Sequence, residues 1–369
     1  AVLQNPRADA ITLNYAVIRP QVLADLVQAR FGAPPPDSRP ATGRSDWVTR
    51  VLLEHLLPDV LAPAARAGRP ALAYWWLTDP DHTAHHFGLG APETVQSLRE
   101  NDRRLGELLG AVDRLGLLDE TDVLLTADHG FSTSGAPHEF EQFLAEARAA
   151  RSLAAGDLVS TGEGGGAISF SVAGARHAPD LIGWLQRQDW VSTIFVRDGG
   201  PADGLAGTLP LSLAWNGRVG PRAPDVQFSP GWTDEPNAAG IPGRSLVGGG
   251  RGARHGSSSP YDVRNSLVAW GSGFKRGIRS SVPCGIVDVA PTVRHLLGLP
   301  AITPGESEAS DGRVLAEALR DGLAPTNVPV ALDTREASAT WRGGAYRQRI
   351  DLARVGATTY FRGGQAERT

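Results

Sequence analysis

"DVLLTADHG", residues 122–130, reads as a short apolar run that ends in a polar turn. The run 122–126 reads as a strand. Asp128 and His129 follow at its carboxyl end. A carboxylate and an imidazole are natural ligands for zinc or manganese. Being adjacent, they would converge on one ion only from a turn, not from a regular helix. The competing reading is a strand-end turn in which Asp128 caps the next element.

Outward from this stretch, short apolar runs alternate with amphipathic segments. The pattern predicts an α/β class with a mostly parallel central sheet flanked by helices. Helical spacing is read over 20–31 and 45–57, with Ser45 and Asp46 as N-caps and Pro58 interrupting the second segment. "ALAYWWL", 71–77, reads as a buried strand, and 92–115 as a long helix with Val95, Leu98, Asp102, Leu105, Leu108, Leu109 and Val112 mostly on one face. "PHEFEQFLAEARAA" from Pro137 reads as a helix. Beyond about residue 156 the texture changes: strands are read in 161–174 and 192–199, with a short helix around 179–188 between them. Residues 200–262 are rich in Gly and Pro. The stretch 156–250 is expected to be an inserted, loop-rich subdomain within one catalytic domain spanning 1–369. "NSLVAWG" (265–271) predicts a strand, "IVDVAPTVRHLLGL" (286–299) a helix, 302–311 a loop, and 345–361 a β-hairpin.

Two further clusters carry chemistry. "DPDHTAHHF", 79–87, holds three of the nine histidines. Asp81 and His85 are four apart, so in a helical turn both face one side and can chelate one ion. The bland alternative is a solvated turn. "RHGSSSPYD", 254–262, places His255 before Gly256, which leaves room for close approach. Ligands of open α/β sheets gather beyond the carboxyl ends of strands, and the first two clusters take such positions on this reading.

Bulk properties exclude several classes. The formal net charge of -4 gives no basic field for nucleic acid. No apolar run approaches the length of a membrane span. The lone Cys284 rules out an internal disulfide framework. There is no methionine, and the opening "AVLQNPRADA" reads like the interior of a longer protein.

Taken together, "TDPDHTAHHFG", "LLTADHGFST", "RHGSSSPYDVRNSLVAWGSGFKRG" and "VDVAPTVRHLLGLP" resemble the alkaline phosphatase superfamily, and within it the type I phosphodiesterase / nucleotide pyrophosphatase branch. The resemblance is read from about residue 70 to 320, interrupted at 135–250. It implies an alkaline phosphatase-like fold and a hydrolase of phosphate esters that uses two divalent metals, zinc by family habit, with manganese the alternative. It assigns Asp81, His85 and His255 to one ion, and Asp128 and His129 to the second. Ala84 stands where the family motif has Gly, and His82 and His86 do not match ligands. The substrate implied is a small phosphate ester or nucleotide, and the habitual location of relatives is secreted or periplasmic.

The chain departs from the pattern upstream. The family's sixth ligand, an aspartate, and its Thr or Ser nucleophile have no recognisable motif in residues 1–70; Thr12, Ser38 and Thr42 lack the expected surroundings. The expectation is that these groups lie in a segment outside the sequence. Other reactions of the superfamily fit the same ligands: phosphomonoesterase, phosphonate hydrolase, sulfatase or phosphomutase. So does a non-catalytic fragment. Cys284, in "SVPCGIVD", is in the wrong context for a sulfatase nucleophile.

The remaining candidates read as structural. His138 and His295 belong to helices, Tyr261 and Asp262 shape the third loop, and the Gly-rich 161–167 lacks the Lys and Ser/Thr of a P-loop. Trp75, Trp76, Trp215, Trp232 and Trp270 are read mainly as packing rather than as a base-stacking platform.

Overall fold

The structure, a computed structural model, describes residues 11–137, 140–150, 154, 156–161, 165–215, 219–250, 252–300 and 311–369. His138, the centre of the Gly-rich 161–167 and nearly all of the loop read at 302–311 lie outside the described residues. The chain divides into two compact units, Ala1–Thr121 and Asp122–Thr369.

The first unit is mainly helical. After a short pair of strands, Thr12–Leu13 with Ile18–Arg19, come α1 (Gln21–Phe31) and α2 (Thr42–Val51). Leu23, Val27 and Phe31 of α1 bury against Trp47 and Val51 of α2. The chain continues through a π-helical stretch, Leu52–Leu61, into α3 (Ala62–Arg66). α4 (Asp81–Phe87) and the long α5 (Pro92–Arg114) complete the unit. Leu57 and Ala62 form a second core with Ala111 and Val112 of α5.

Three expectations about these helices need correction. Ser45 and Asp46 are not N-caps, because α2 begins at Thr42 and encloses both. Asp46 instead pairs with Arg103 and Arg104 of α5, each at 2.8–2.9 Å. Pro58 does not break its segment: it sits inside the π-helical stretch, whose wider turn leaves room for a ring that an α-helical ladder would reject. The buried face of α5 follows the apolar stripe read from sequence only in part. Val112 is buried and Leu108 packs against the core, but Thr94, Ser97 and Arg104 are buried too, while Leu98 is 51% exposed.

Residues 71–77 are not a buried strand. They run without regular structure, and Leu72, Tyr74 and Trp76 are 61%, 75% and 56% exposed. A strand exists through hydrogen bonds to a neighbour, and the described strands of this unit are just the pair Thr12–Leu13 and Ile18–Arg19. Apolar composition alone therefore did not make one.

The second unit is built from sheets. Val123–Thr126 pairs antiparallel with Leu267–Trp270, so "DVLLT" and "NSLVAWG" are strands as read. A five-stranded sheet follows in the order Leu158–Thr161, Gly166–Phe170, Val226–Pro230, Val191–Val196, Leu209–Pro210. The helix Ala178–Leu185 covers it, burying Leu181, Ile182 and Leu185 against Ile168, Ile194 and Phe228. The hairpin read at 345–361 is present and longer, Gly344–Val355 with Thr358–Arg368. A third strand, Ala331–Trp341, was not legible because most of its residues are exposed and it carries no apolar alternation.

The α/β class stands, but the mostly parallel central sheet is not found among the described residues. The parallel pairs are three short ones: Arg244–Ser245 with Ser132–Thr133, Val247–Gly248 with Ala136–Pro137, and Val191–Val196 with Leu209–Pro210. The alternation of runs and helices was read as a series of parallel crossovers. Val123–Thr126 instead takes a partner from far along the chain that runs in the opposite direction.

Candidate metal centre

Each unit carries part of the expected ligand set. In the first, α4 is a short helix whose start is fixed by Asp79. That carboxylate is 4% exposed. Its Oδ1 accepts from Thr83 N and Oγ1 at 3.1 and 2.7 Å, and its Oδ2 accepts from Ala41 N at 2.6 Å. Asn101 Nδ2 of α5 donates to its carbonyl at 2.7 Å. Gly88, at φ 96°, ends the helix. The intervening helical turn brings His85 Nε2 to 3.4 Å from Asp81 Oδ1, as the four-residue spacing requires. His82 points elsewhere, with Nε2 3.7 Å from Asp37, and His86 lies edge-on to Phe87. The crowding of "DPDHTAHHF" thus resolves into one donor pair, one structural aspartate and two neighbours.

In the second unit, two loops meet. Ser132–Thr133 pairs antiparallel with Ala253–Arg254, with Arg254 opposite Ser132. That register places the residues preceding Ser132 beside those following Arg254. The rings of His129 and His255 accordingly stack, 3.5 Å between centroids and 11° between planes. Phe131 stands edge-on to both, at 5.4 and 5.2 Å. Asp128 Oδ1 lies 3.5 Å from His129 Nε2. Asp128 is exposed, while His129 and His255 are half-buried.

Gly130 is required by this meeting. A Cβ there would lie 2.0 Å from Tyr261 O and 2.3 Å from Arg264 O. Its N–H donates to Asp262 O at 2.7 Å. Asn265 Nδ2 donates to Ala127 O on the same loop. Asp262 itself is buried, and burial pushes its carboxyl above the usual carboxylate value, against the opposing hydrogen bonds of Ser132 and Ser257. Sequence reading left Asp262 as a loop-shaping residue. Its position beside a Ser-rich run ("SSSPYD") was the signal available, and its partner Ser132 lies 130 residues away.

The donors fit divalent metal chemistry. Each half offers carboxylate oxygen and imidazole nitrogen, the set that zinc and its neighbours prefer. A cavity of about 580 Å³ in the first unit, lined by Asp46, Arg50, Glu54, Arg103, Glu107 and Arg114, contains none of these donors. It is filled with ion pairs such as Arg103 with Glu107. No described helix is long and apolar enough to cross a membrane.

Comparison with known proteins places these motifs. The type I phosphodiesterase / nucleotide pyrophosphatase family matches residues 3–183. Human ectonucleotide pyrophosphatase/phosphodiesterase family member 7 is 35% identical over 69 residues, 18% of this chain and 15% of that protein. The venom phosphodiesterase of Naja atra is 34% identical over 65 residues, 18% of this chain and 8% of that protein. Among solved structures, an inactive form of murine ectonucleotide pyrophosphatase/phosphodiesterase 5 in complex with AMP aligns at 15% identity and TM-score 0.49, covering 70% of this chain and 60% of that one. The wild-type alkaline phosphatase PafA aligns at 19% identity and TM-score 0.48, covering 65% and 46%. The chain therefore spans a small part of the curated relatives it matches. The family match starts at residue 3, well before the region near 70 where the motifs become recognisable, and ends before His255. Over residues 3–183, which include Asp81, His85, Asp128 and His129, the sequence matches the type I phosphodiesterase / nucleotide pyrophosphatase family, and the resemblance read from the motifs is borne out.

Proposed function

We propose that this chain is a phosphoric ester hydrolase, a phosphodiesterase or nucleotide pyrophosphatase that uses two divalent ions, zinc by the family resemblance with manganese the alternative. The observation that carries the reading is the preset geometry of the donors within a family match: the Asp81–His85 pair on α4, and the stacked His129 and His255 beside Asp128. Following the resemblance, Asp81 and His85 with His255 serve one ion, and Asp128 and His129 serve the other. Two such ions supply charge neutralisation for the attacking and leaving oxygens of an in-line phosphoryl displacement. The chain's own residues do the rest. Their carboxylate oxygens and imidazole nitrogens would hold the ions. The turn rigidity given by Asp79 and Gly130 fixes where that charge sits. The substrate is a small phosphate ester or nucleotide, the class from which the family takes its name. Residues 156–250 are read as a subdomain inserted in an alkaline phosphatase-like domain, a reading supported by the five-stranded sheet that lies largely within them.

Metal analysis tests this directly. The parent chain is expected to hold at least about one divalent ion, and His255→Ala or Asp81→Ala to weaken binding by ~10-fold or more, the scale seen when a metal site loses a supporting group. Fewer than one ion per chain, unchanged in His255→Ala, would sink the reading. Assay of a diester, a monoester and a sulfate ester side by side then separates the phosphodiesterase from its superfamily relatives.

A further inference from the structure

The turn bearing Asp128 and His129 and the loop bearing His255 are joined through one buried side chain. We propose that Asp262 is a positioning residue of the metal centre, holding the two imidazoles in the register that ligation needs. The inference rests on the metal reading above and adds a residue that neither the motifs nor the family assignment supplies.

Asp262 is 3% exposed and accepts at every oxygen it has. Oδ1 accepts from Ser132 Oγ at 2.5 Å. Oδ2 accepts from Ser257 N at 3.0 Å and from Ser257 Oγ at 2.6 Å. The backbone carbonyl accepts from Gly130 N at 2.7 Å. Gly130 and Ser132 follow His129 closely, and Ser257 follows His255 closely. One residue thus grips both histidine-bearing segments, each within three positions of its ring.

A carboxylate suits this task because it is acceptor-only at two oxygens. An asparagine would turn one of them into a donor facing Ser257 N–H or the Ser132 hydroxyl. With both oxygens already engaged inward, Asp262 is not itself a ligand. The loop is also tied to the sheet behind it. Ser258 Oγ meets Thr193 Oγ1 and Ser229 Oγ at 2.5 and 2.9 Å, and Ser258 O accepts from Gly364 N at 2.8 Å. The His255 loop is therefore anchored to the core, and Asp262 transfers that anchorage to the His129 turn.

A purely structural carboxylate provides the contrast. Asp288 is fully buried and accepts from Tyr360 Oη, Arg313 N and Gly285 N at 2.9, 2.8 and 2.8 Å, all remote in sequence from either histidine. In the metal-free 369-residue chain, NMR of the histidine rings reads the His129–His255 ring-to-ring NOE, and zinc titration reads affinity. Asp262→Asn is expected to abolish the NOE and to weaken zinc binding about 10-fold or more, the usual cost of removing a group that orients a ligand. Ser132→Ala combined with Ser257→Ala keeps Asp262 but removes its hydroxyl donors, and is expected to weaken both signals in the same direction. This pair decides the matter if Asp262→Asn does not fold. Asp288→Asn is expected to lower the unfolding midpoint and leave the NOE intact. A ring contact that survives in both Asp262→Asn and the serine double variant overturns the proposal, as does its equal loss in Asp288→Asn. Absence of zinc binding by the parent would defeat the metal reading alone, since the ring contact judges the positioning role by itself.

Discussion

The two donor-bearing regions are held by different kinds of structure. α4 presents Asp81 and His85 by local geometry: four residues of helix set the distance, and Asp79, one residue before its neighbour Pro80, fixes the start. The 128–132 turn and the 253–262 loop present His129 and His255 by contacts between distant segments. In the first region the sequence spacing is the site. In the second the spacing says nothing, and the two histidines meet only once the chain has paired Ser132 with Arg254.

This comparison can be broken from the second side first. Gly130→Ala is expected to have the largest effect, because its Cβ would collide with two carbonyls, Tyr261 O and Arg264 O, that belong to backbone rather than to a yielding side chain. Overpacking of this kind costs about 3 kcal/mol or more. Denaturant unfolding of the purified variant measures it, and a wild-type midpoint would show that the two loops are not locked as described.

On the first side, Asp79→Ala removes a buried carboxylate that three donors share. Hydrogen bonds to a charged group of this kind are worth about 2 kcal/mol, and the orphaned Thr83 and Ala41 groups add to the loss. Circular dichroism and the unfolding midpoint together report whether α4 frays. Unchanged stability would mean that the helix needs no fixed start.

The smallest effect sharpens the contrast. Asp81 and His85 are partly exposed, their side chains 42% and 25% accessible, and an exposed pair of this sort contributes within about 0.5 kcal/mol. Asp81→Ala is expected to leave the unfolding midpoint nearly unmoved while metal affinity falls. A large stability loss there would mean that the pair is scaffold rather than site.

What was legible in the sequence follows the same division. The shared face of Asp81 and His85 on α4, the strand Val123–Thr126 and the span of the long α5 were legible, since helical spacing and a short apolar run are local signals. Nothing in the sequence signalled the stacking of His129 on His255, and Asp262 was visible as no more than a loop residue. Composition misled where structure depends on partners. "ALAYWWL" has the composition of a buried strand but carries no regular structure. Asp46 has the chemistry of a cap but is taken by Arg103 and Arg104 from a helix more than fifty residues away.

The exposed run 71–77 has a consequence for anyone who handles the protein. Leu72, Tyr74 and Trp76 face solvent on an irregular, apolar stretch of backbone. Such a stretch is a template for strand addition between molecules. In concentrated solution this segment, rather than the polar ligand loops, is expected to set the solubility of the chain and to seed its aggregation. A charged substitution at Tyr74 is then a better route to soluble material than any change in the histidine-bearing loops.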